Sequence, residues 1–237
     1  MNSKKSFVSV IMSSYNSINT IDEAIESIMH QTYTNLELLI LDDCSNDGSY
    51  EKIEYFNKKY ENIRIFRNKK NLGLTKSLNL LIERSSGDFI ARQDADDLSF
   101  EKRIEEQVNE MNKYKLDFCT TRALIKDTRK KIPGISYHFP SKIVSKLKNP
   151  FIHGTLMIKK NSIKKIGSYD ENFYYAQDYK LIADMFKNNF KYRKINKPLY
   201  LLNMENNIST NKKKEQDYYA NCVKNNNLPN LNIEFNK

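Results

Sequence analysis

Residues 7–43 read FVSVIMSSYNSINTIDEAIESIMHQTYTNLELLILDD, and the pattern of apolar residues in them predicts the fold class. Two short runs rich in Val, Ile and Leu, residues 7–12 and 36–41, have the length of buried strands. Between them, apolar residues recur at the three- and four-residue spacing of an amphipathic helix. Thr20 and Glu23 form the pattern of a capping box at its start. A strand, a helix and a second strand in this order predict parallel pairing of the two strands.

The same alternation continues through the first half of the chain. We expect helices over residues 49–60, 74–82 and 100–114, and further strands over residues 63–66 and 89–91. Strands separated by helices predict an α/β protein, a three-layer α/β/α sandwich with a mostly parallel central sheet. After Asp117 the pattern weakens, and the chain from Asn203 onward is polar and rich in Asn.

Size and composition limit the class of protein. A chain of 237 residues with 39% apolar residues is long enough for one sizeable core with an accessory segment. The apolar runs are too short to span a membrane, and the first residues do not lead into a secretory signal, so we expect a cytoplasmic protein. The three cysteines, Cys44, Cys119 and Cys222, are far apart, which predicts free thiols rather than disulfides or a zinc site.

Positive charge is concentrated in one block of the sequence. Residues 126–165 contain eleven Lys or Arg side chains and one carboxylate, Asp127, so the block accounts for the formal net charge of +10 of the whole chain. Such a block suggests an anionic partner, either a phosphate-bearing substrate or the anionic inner surface of the cell membrane, and nucleic acid is less supported. A solvated face in a chain rich in Lys explains the block equally well.

Carboxylates follow the predicted strands where each strand ends. Asp42 and Asp43 follow the second strand, and Asp94, Asp96 and Asp97 follow the fourth. Because ligands of open α/β sheets bind beyond the carboxyl ends of the strands, we expect these side chains near a ligand. So many negative charges at one edge indicate a shared divalent cation, Mg²⁺ or Mn²⁺. A single Asp after a strand is more often a turn or capping residue, but the cluster of three favours metal binding.

Glycine and histidine usage excludes several enzyme classes. With only six glycines, the chain contains neither a G-x-G-x-x-G fingerprint nor a Walker A loop, so dinucleotide oxidoreductases and P-loop enzymes are excluded. The three histidines are scattered and lack the spacing of zinc hydrolases. A bound diphosphate would therefore have to be held by a metal rather than by a glycine-rich loop.

Several short motifs follow one another along the chain. They are VSVIMSSYN (8–16), QTY (31–33), LDDCSNDGS (41–49), NLGL (71–74), IARQDADD (90–97), IHGTLM (152–157) and AQDY (176–179). Their order and spacing resemble family 2 glycosyltransferases of the GT-A fold over about residues 7–210. The sixth resembles the acceptor-side strand of the family, and the seventh its acidic motif. The chain departs from the family at Gln177, where Glu is usual, and around residues 203–209, where an Arg or His is common.

The resemblance implies a donor site for a nucleotide-diphosphate sugar, with a UDP-sugar as the expected donor. It implies that Tyr15, beside Asn16, stacks on the base and that Asp43 accepts a hydrogen bond from it. Asp94 is expected at the ribose or a metal-bound water, and Asp96 at the Mn²⁺ or Mg²⁺ ion that bridges the diphosphate.

The resemblance also implies an inverting transfer in which Asp178 is the general base. Gln177 and His153 are expected on the acceptor side. From the residues alone, Asp178 is equally a first-turn residue of a helix, and His153 a structural histidine.

The resemblance divides the chain into three parts. These are a nucleotide-sugar-binding half (1–115), an acceptor-binding half of the same domain with the base (116–210), and a polar C-terminal tail (211–237). The expected product is a single sugar on a lipid-linked, lipopolysaccharide or capsule oligosaccharide. The chain has no tryptophan, which argues against the processive synthases of the family. Two alternatives remain: a catalytically silent relative that only binds, and, less supported, a sugar nucleotidyltransferase.

Overall fold

A computed structural model describes residues 5–205, 212–231, 233 and 235. The strands are β1 Val8–Ser14, β2 Leu36–Asp42, β3 Ile63–Arg67, β4 Phe89–Asp94, β5 Leu98–Ser99, β6 Phe118–Ile125, β7 Lys131–Ile132, β8 Met157–Lys159 and β9 Tyr192–Leu202. The α-helices are α1 Ile21–Met29, α2 Ser49–Lys59, α3 Leu74–Arg84, α4 Arg103–Tyr114, α5 Ser141–Val144, α6 Lys160–Lys165, α7 Gln177–Lys187 and α8 Lys213–Lys224. Two 3₁₀ turns lie at Ile135–His138 and His153–Thr155.

The described strands form one sheet in the order β3-β2-β1-β4-β8-β6-β9-β5, with β7 paired to β6. Strands β1 to β4 are parallel, as the strand-helix alternation predicts. Strand β8 runs against both β4 and β6, while β9 is parallel to β6. Six of these nine strands therefore share one direction, and the mostly parallel sheet is confirmed.

Helices cover both faces of the sheet. In β1, Val8, Val10 and Met12 pack into one core with α1, α2 and α4, while Ile11 packs into the other core with α3 and α7. Because side chains alternate between the faces of a strand, a nearly all-apolar strand supplies both cores. The predicted three layers are confirmed.

Two expectations about how helices begin are wrong. The hydroxyl of Thr20 donates to Ser17 O at 3.4 Å and makes no capping hydrogen bond, because the turn before α1 places the Ser17 carbonyl beside it. The predicted capping box is therefore absent at α1. The helix predicted from residue 100 begins at Arg103, since Phe100 O accepts a hydrogen bond from Arg103 N at 2.8 Å in a preceding turn.

The second half contains elements that the weak sequence pattern does not indicate. Strands β6 and β9 are interior to the sheet although they carry Thr, Lys, Asn and Pro residues. The segment expected as an acceptor-side strand, 152–157, is mostly a 3₁₀ turn, and its strand begins only at Met157.

The polar C-terminal region contains α8, which buries Tyr219, Cys222 and Val223 against α7. Of residues 203–209, around which the chain departs from the family motif, residues 206–209 lie outside the described residues.

The cysteines are free thiols, as predicted: Cys119 and Cys222 are buried and Cys44 is half-buried. Within the described part of the chain, no helix is both long enough and apolar enough to span a membrane.

A buried guanidinium links β4, β5 and α4. Arg103 is fully buried, and its Nη1 donates to Gln93 Oε1 at 3.0 Å and to Ser99 Oγ at 2.8 Å. Its Nε donates to Gln107 Oε1 at 3.0 Å, and its Nη2 to Arg92 O at 2.6 Å. Burial lowers the pKa of the Arg103 guanidinium to about 10, so the group stays charged near neutral pH. These bonds fix the end of β4 to the helix behind it.

We expect Arg103→Leu to lower the free energy of unfolding by roughly 3–5 kcal/mol, because it leaves several buried acceptors without a donor. Urea denaturation followed by circular dichroism measures this loss. Arg129→Leu, at an exposed loop position, is the matched control and should stay within about 0.5 kcal/mol of the wild type. Equal destabilisation by the two substitutions would contradict the role given to Arg103.

Candidate active site

A cleft of about 630 Å³ opens at the carboxyl end of β4. Its lining includes the carboxylates of Asp94, Asp96 and Asp97 together with His153 and Asp178. Helix α8 adds Gln216, Asp217, Ala220 and Lys224 to the lining. The structure thus brings the predicted metal-binding and catalytic-base residues to one cavity.

Asp94 is held in place by three neighbours. Its Oδ1 forms an ion pair with Nη2 of Arg92, which is 2% exposed, and its backbone N donates to the hydroxyl of Tyr200 at 3.1 Å. The turn at Gly154 passes so close that a Cβ there would lie 2.8 Å from Asp94 Oδ2. Glycine is therefore required at 154, and Asp94 has little freedom to move.

The remaining carboxylates of the turn are electrostatically strained. Burial, together with the charge of Asp94, raises the pKa of Asp96 to about 6. Burial and the charges of Asp94 and Asp96 also raise the pKa of Asp97, whose Oδ1 accepts a hydrogen bond from Asn203 N at 2.7 Å. A cation bound at this turn would relieve the repulsion among these groups.

The donor set of the turn fits a hard divalent cation in part. Asp94 Oδ2 and the Asp96 carboxylate are oxygen ligands of the type that Mg²⁺ and Mn²⁺ prefer. Over residues 5–205 and the described C-terminal residues, however, no group of three or more acidic, His or Cys side chains could enclose a metal ion. The two carboxylates would therefore supply only part of a coordination shell, as is usual where substrate phosphates supply the rest.

Asp42 and Asp43 do not share this cation site, contrary to the expectation of five carboxylates around one ion. Asp42 is fully buried, accepts a hydrogen bond from Ser45 N at 3.1 Å and pairs with Arg67 Nε at 3.2 Å. Its charge is neutralised by the protein itself. The carboxylates that line the cleft are those that follow β4 together with Asp178 and Asp217.

Asp43 is used to hold a loop. Its Oδ1 accepts hydrogen bonds from Asn68 Nδ2 at 2.7 Å and from Leu72 N at 2.9 Å, and its Oδ2 accepts one from Gly73 N at 2.8 Å. The side chain is 2% exposed, so a nucleotide base would have to use the remaining lone pair of Oδ2. The predicted contact with the base stays a prediction.

Gly73 connects this loop to the cleft. Its φ of +85° favours glycine, and an added Cβ would lie 2.8 Å from the ring of Tyr174. Tyr174, 55% exposed, lines the cleft and packs directly on the loop that Asp43 holds.

Tyr15 and Asn16 follow β1, at the same edge of the sheet but outside the lining of the cleft. The ring of Tyr15 is 51% exposed and available for stacking. Asn16 has a φ of 49°, its backbone N donates to Ser45 Oγ at 2.9 Å, and its Oδ1 accepts from Asn46 N at 3.1 Å. The Asn16 side chain therefore joins the loops after β1 and β2.

Asp178 lies in the first turn of α7 and faces the cleft. Its Oδ2 accepts a hydrogen bond from Asn149 Nδ2 at 2.6 Å, and its Oδ1 accepts one from Tyr179 N at 2.7 Å. One donor on each oxygen orients the carboxylate and leaves a lone pair on each for a further proton. Gln177, the residue before it, also lines the cleft.

His153 Nε2 lies 2.6 Å from the hydroxyl of Tyr169. Burial lowers the pKa of His153, and the positive charge of Arg92 adds to this effect, so the imidazole is neutral near pH 7. It lines the cleft as a hydrogen-bonding group of the wall rather than as a charge.

Four residues of the site were not predicted from the sequence. They are Arg92, Asn149, Tyr174 and Tyr200, which hold Asp94, Asp178 or the loop at Gly73. Of these four, only Arg92 could have been singled out from the sequence, because a lone Arg in an apolar strand is rarely buried unless it is paired. The others come from segments whose position depends on tertiary packing.

Comparison with known proteins gives three results. The family model described as glycosyl transferase family 2 matches residues 9–167. The putative glycosyltransferase EpsE of Bacillus subtilis is 36% identical over 169 residues, which are 68% of this chain and 59% of EpsE. This chain spans about three fifths of the length of such relatives.

Among the solved structures that are similar in fold are two complexes with a nucleotide sugar. S. aureus TarS 1-349 in complex with UDP-GlcNAc has a TM-score of 0.74 at 20% identity, covering 85% of this chain and 59% of that one. The mannosyltransferase PcManGT from Pyrobaculum calidifontis, in complex with GDP-Man and Mn²⁺, has a TM-score of 0.64 at 18% identity, covering 82% and 55%. The motifs, the fold and the matched family model agree, and the chain belongs to glycosyl transferase family 2 with a GT-A fold.

Proposed function

We propose that this chain transfers a single sugar from a nucleotide-diphosphate donor, a UDP-sugar, to a hydroxyl of a lipid-linked or surface-glycan oligosaccharide with inversion. The main observation in its support is that the carboxylates of Asp94 and Asp96 line the same cleft as the carboxylate of Asp178. The Asp178 carboxylate is oriented by a hydrogen bond from Asn149. The solved structures with UDP-GlcNAc and with GDP-Man and Mn²⁺ support a nucleotide-sugar donor and a divalent metal.

On the donor side, the protein positions the leaving group. The exposed ring of Tyr15 offers a stacking face for the base, at the edge where the Asp43 carboxylate holds the loop of residues 71–73. Asp94 Oδ2 and Asp96 would hold a divalent ion, and the chemistry it would supply is positive charge that stabilises the departing diphosphate. Arg92 keeps Asp94 Oδ1 engaged, so that Oδ2 is the oxygen left for a ligand.

On the acceptor side, Asp178 removes a proton. As the acceptor oxygen attacks the anomeric carbon from the face opposite the diphosphate, the carboxylate accepts the hydroxyl proton. Asn149 Nδ2 and the Tyr179 backbone N fix its two oxygens, which sets the direction of that transfer. The side chains of His153 and Gln177 line the same cleft and would offer hydrogen bonds to acceptor hydroxyls.

The two alternatives differ in what the cleft must do. A catalytically silent relative needs no base, whereas Asp178 is both oriented and open to the cleft. A sugar nucleotidyltransferase would need a Gly-rich basic loop after β1, and residues 13–20 contain neither Gly, Lys nor Arg. Both observations favour glycosyl transfer.

Asp178→Asn should abolish transfer and leave donor binding nearly unchanged, because the base contacts neither nucleotide nor metal. General-base catalysis contributes on the order of 10²- to 10⁴-fold, so the residual rate should be below about one per cent of wild type. Single-turnover assays and UDP binding by calorimetry measure the two effects. Gln177→Ala is the control and should cost less. A reversed order would point to another base.

Asp96→Asn should weaken metal-dependent nucleotide binding, because an amide is a poorer ligand for a hard cation than a carboxylate. The loss should be about tenfold or more, since even outer-shell partners of a metal are worth roughly 10- to 100-fold. UDP affinity with and without Mn²⁺ is the measurement, and Asp127→Asn, which changes an exposed carboxylate outside the cleft, is the control. An unchanged Mn²⁺ dependence would remove Asp96 from the metal site.

Tyr15→Ala should lower UDP affinity, because stacking of a base on an aromatic ring is worth roughly 1–3 kcal/mol. Tyr55→Ala, which removes a 63% exposed ring from α2, serves as the control and should have no effect. If both variants bind UDP like the wild type, the base lies elsewhere.

A further inference from the structure

One segment exposes large apolar side chains among cations. We call residues 126–148 the docking surface. Its exposed apolar residues are Ile135 (81% exposed), Phe139 (54%), Ile143 (58%) and Leu147 (72%). Val144, in the same segment, is buried, so the segment packs on the protein by one side and presents the other to solvent. Clustered apolar exposure of this kind marks an interaction site more often than isolated exposed residues do.

The geometry around α5 aligns two of these side chains. Leu147 N and Lys148 N both donate to Val144 O at 3.0 Å, so the helical turns continue beyond the end of α5. Ile143 and Leu147, four residues apart, therefore lie on one face of these turns. Lys142 and Lys146 are exposed beside them and have the same spacing.

The charge of the docking surface indicates which kind of partner it can bind. The docking surface contains seven Lys or Arg side chains and one carboxylate, Asp127. Lys126 lies 3.6 Å from Glu23, which offsets one of the cations. Apolar side chains interleaved with lysines are complementary to an anionic lipid bilayer, where the apolar groups enter the interface and the ammonium groups meet the headgroups.

The structure divides the basic block of residues 126–165. Strand β8 runs antiparallel to β4, pairing Met157 with Ala91 and Lys159 with Phe89, and Lys160 N donates to Asp88 O. Helix α6, with Lys164 and Lys165, therefore begins at the edge of the sheet opposite the cleft. These lysines belong to a different surface and offer an internal control.

The docking surface borders the acceptor side of the cleft. Leu147, Lys148 and Asn149 line the cavity, and Asn149 donates to the Asp178 carboxylate. A bilayer in contact with this surface would lie beside the wall that carries the proposed base.

We propose that the docking surface binds reversibly to the anionic lipid bilayer, with Ile135, Phe139, Ile143 and Leu147 in the interface. The consequence that a membrane-anchored acceptor is presented directly to Asp178 rests on the proposed function. Binding to lipid does not, so it is tested without an activity assay.

The chain has no tryptophan, so Ile143→Trp introduces a single fluorescent reporter at an exposed position. With vesicles of phosphatidylglycerol and phosphatidylcholine, its emission should shift to shorter wavelength, because the ring enters the interface. The matched reporter Leu228→Trp, at a 71% exposed position outside the docking surface, should not shift. A concentration-dependent shift without vesicles would instead assign the surface to a second copy of this chain and overturn the proposal.

Charge variants test the electrostatic part by vesicle co-sedimentation. Lys142→Gln/Lys146→Gln should weaken binding by roughly fivefold per lysine removed, while Lys164→Gln/Lys165→Gln on α6 should bind like the wild type. Binding should also fall steeply between low and physiological salt. Equal losses in both variants, equal binding to pure phosphatidylcholine, or no binding at all would each overturn the proposal. UDP affinity, measured in parallel without lipid, distinguishes this failure from a failure of the donor site.

Discussion

The organisation of this site depends on how the protein tolerates three carboxylates at the end of one strand. Asp94, Asp96 and Asp97 repel one another, and two buried guanidinium groups stabilise the end of the strand that carries them. Arg92 pairs with Asp94, and Arg103 anchors the strand end through Gln93 and the Arg92 carbonyl. Buried charges of this kind are costly unless paired, so the network leaves the turn few alternative conformations. Part of the negative charge of these three carboxylates is not neutralised by the protein and faces the cleft.

The turn that contacts Asp94 depends on packing rather than on charge. The 3₁₀ turn at His153–Thr155 approaches Asp94 so closely that only glycine fits at 154, and the Tyr200 hydroxyl contacts the same strand end. Asn149, in the segment before this turn, donates a hydrogen bond to the Asp178 carboxylate. A second acidic cavity, around Asp170, Glu171 and Asp184, differs because Lys180 pairs with Asp184 at 2.6 Å and lies 3.7 Å from Asp170. The carboxylates that are strained by one another are therefore those of the cleft.

The sequence predicted the parts of the fold that are governed by local periodicity. The apolar runs of β1 and β2 and the stripes of α1, α3 and α4 lie where the pattern indicated, because each strand supplies apolar side chains to both cores and each helix buries a continuous face in one of them. Strands β6 and β9 escaped prediction because they pair with strands that are distant in sequence, and their Thr and Lys residues follow no alternation. Asp94, Asp96 and Asp178 were found through motifs. The partners that hold them, Arg92 and Asn149, become apparent only once distant segments are brought together.

In the proposed function, Asp94 and Asp96 bind the metal that holds the donor diphosphate, in the cleft that also contains Asp178. The most direct measurement is an anomalous difference map from crystals grown with Mn²⁺ and UDP. We expect one strong peak within bonding distance of Asp96, between that carboxylate and the diphosphate oxygens. A peak in the second acidic cavity, or ordered UDP with no metal peak at Asp96, would contradict it.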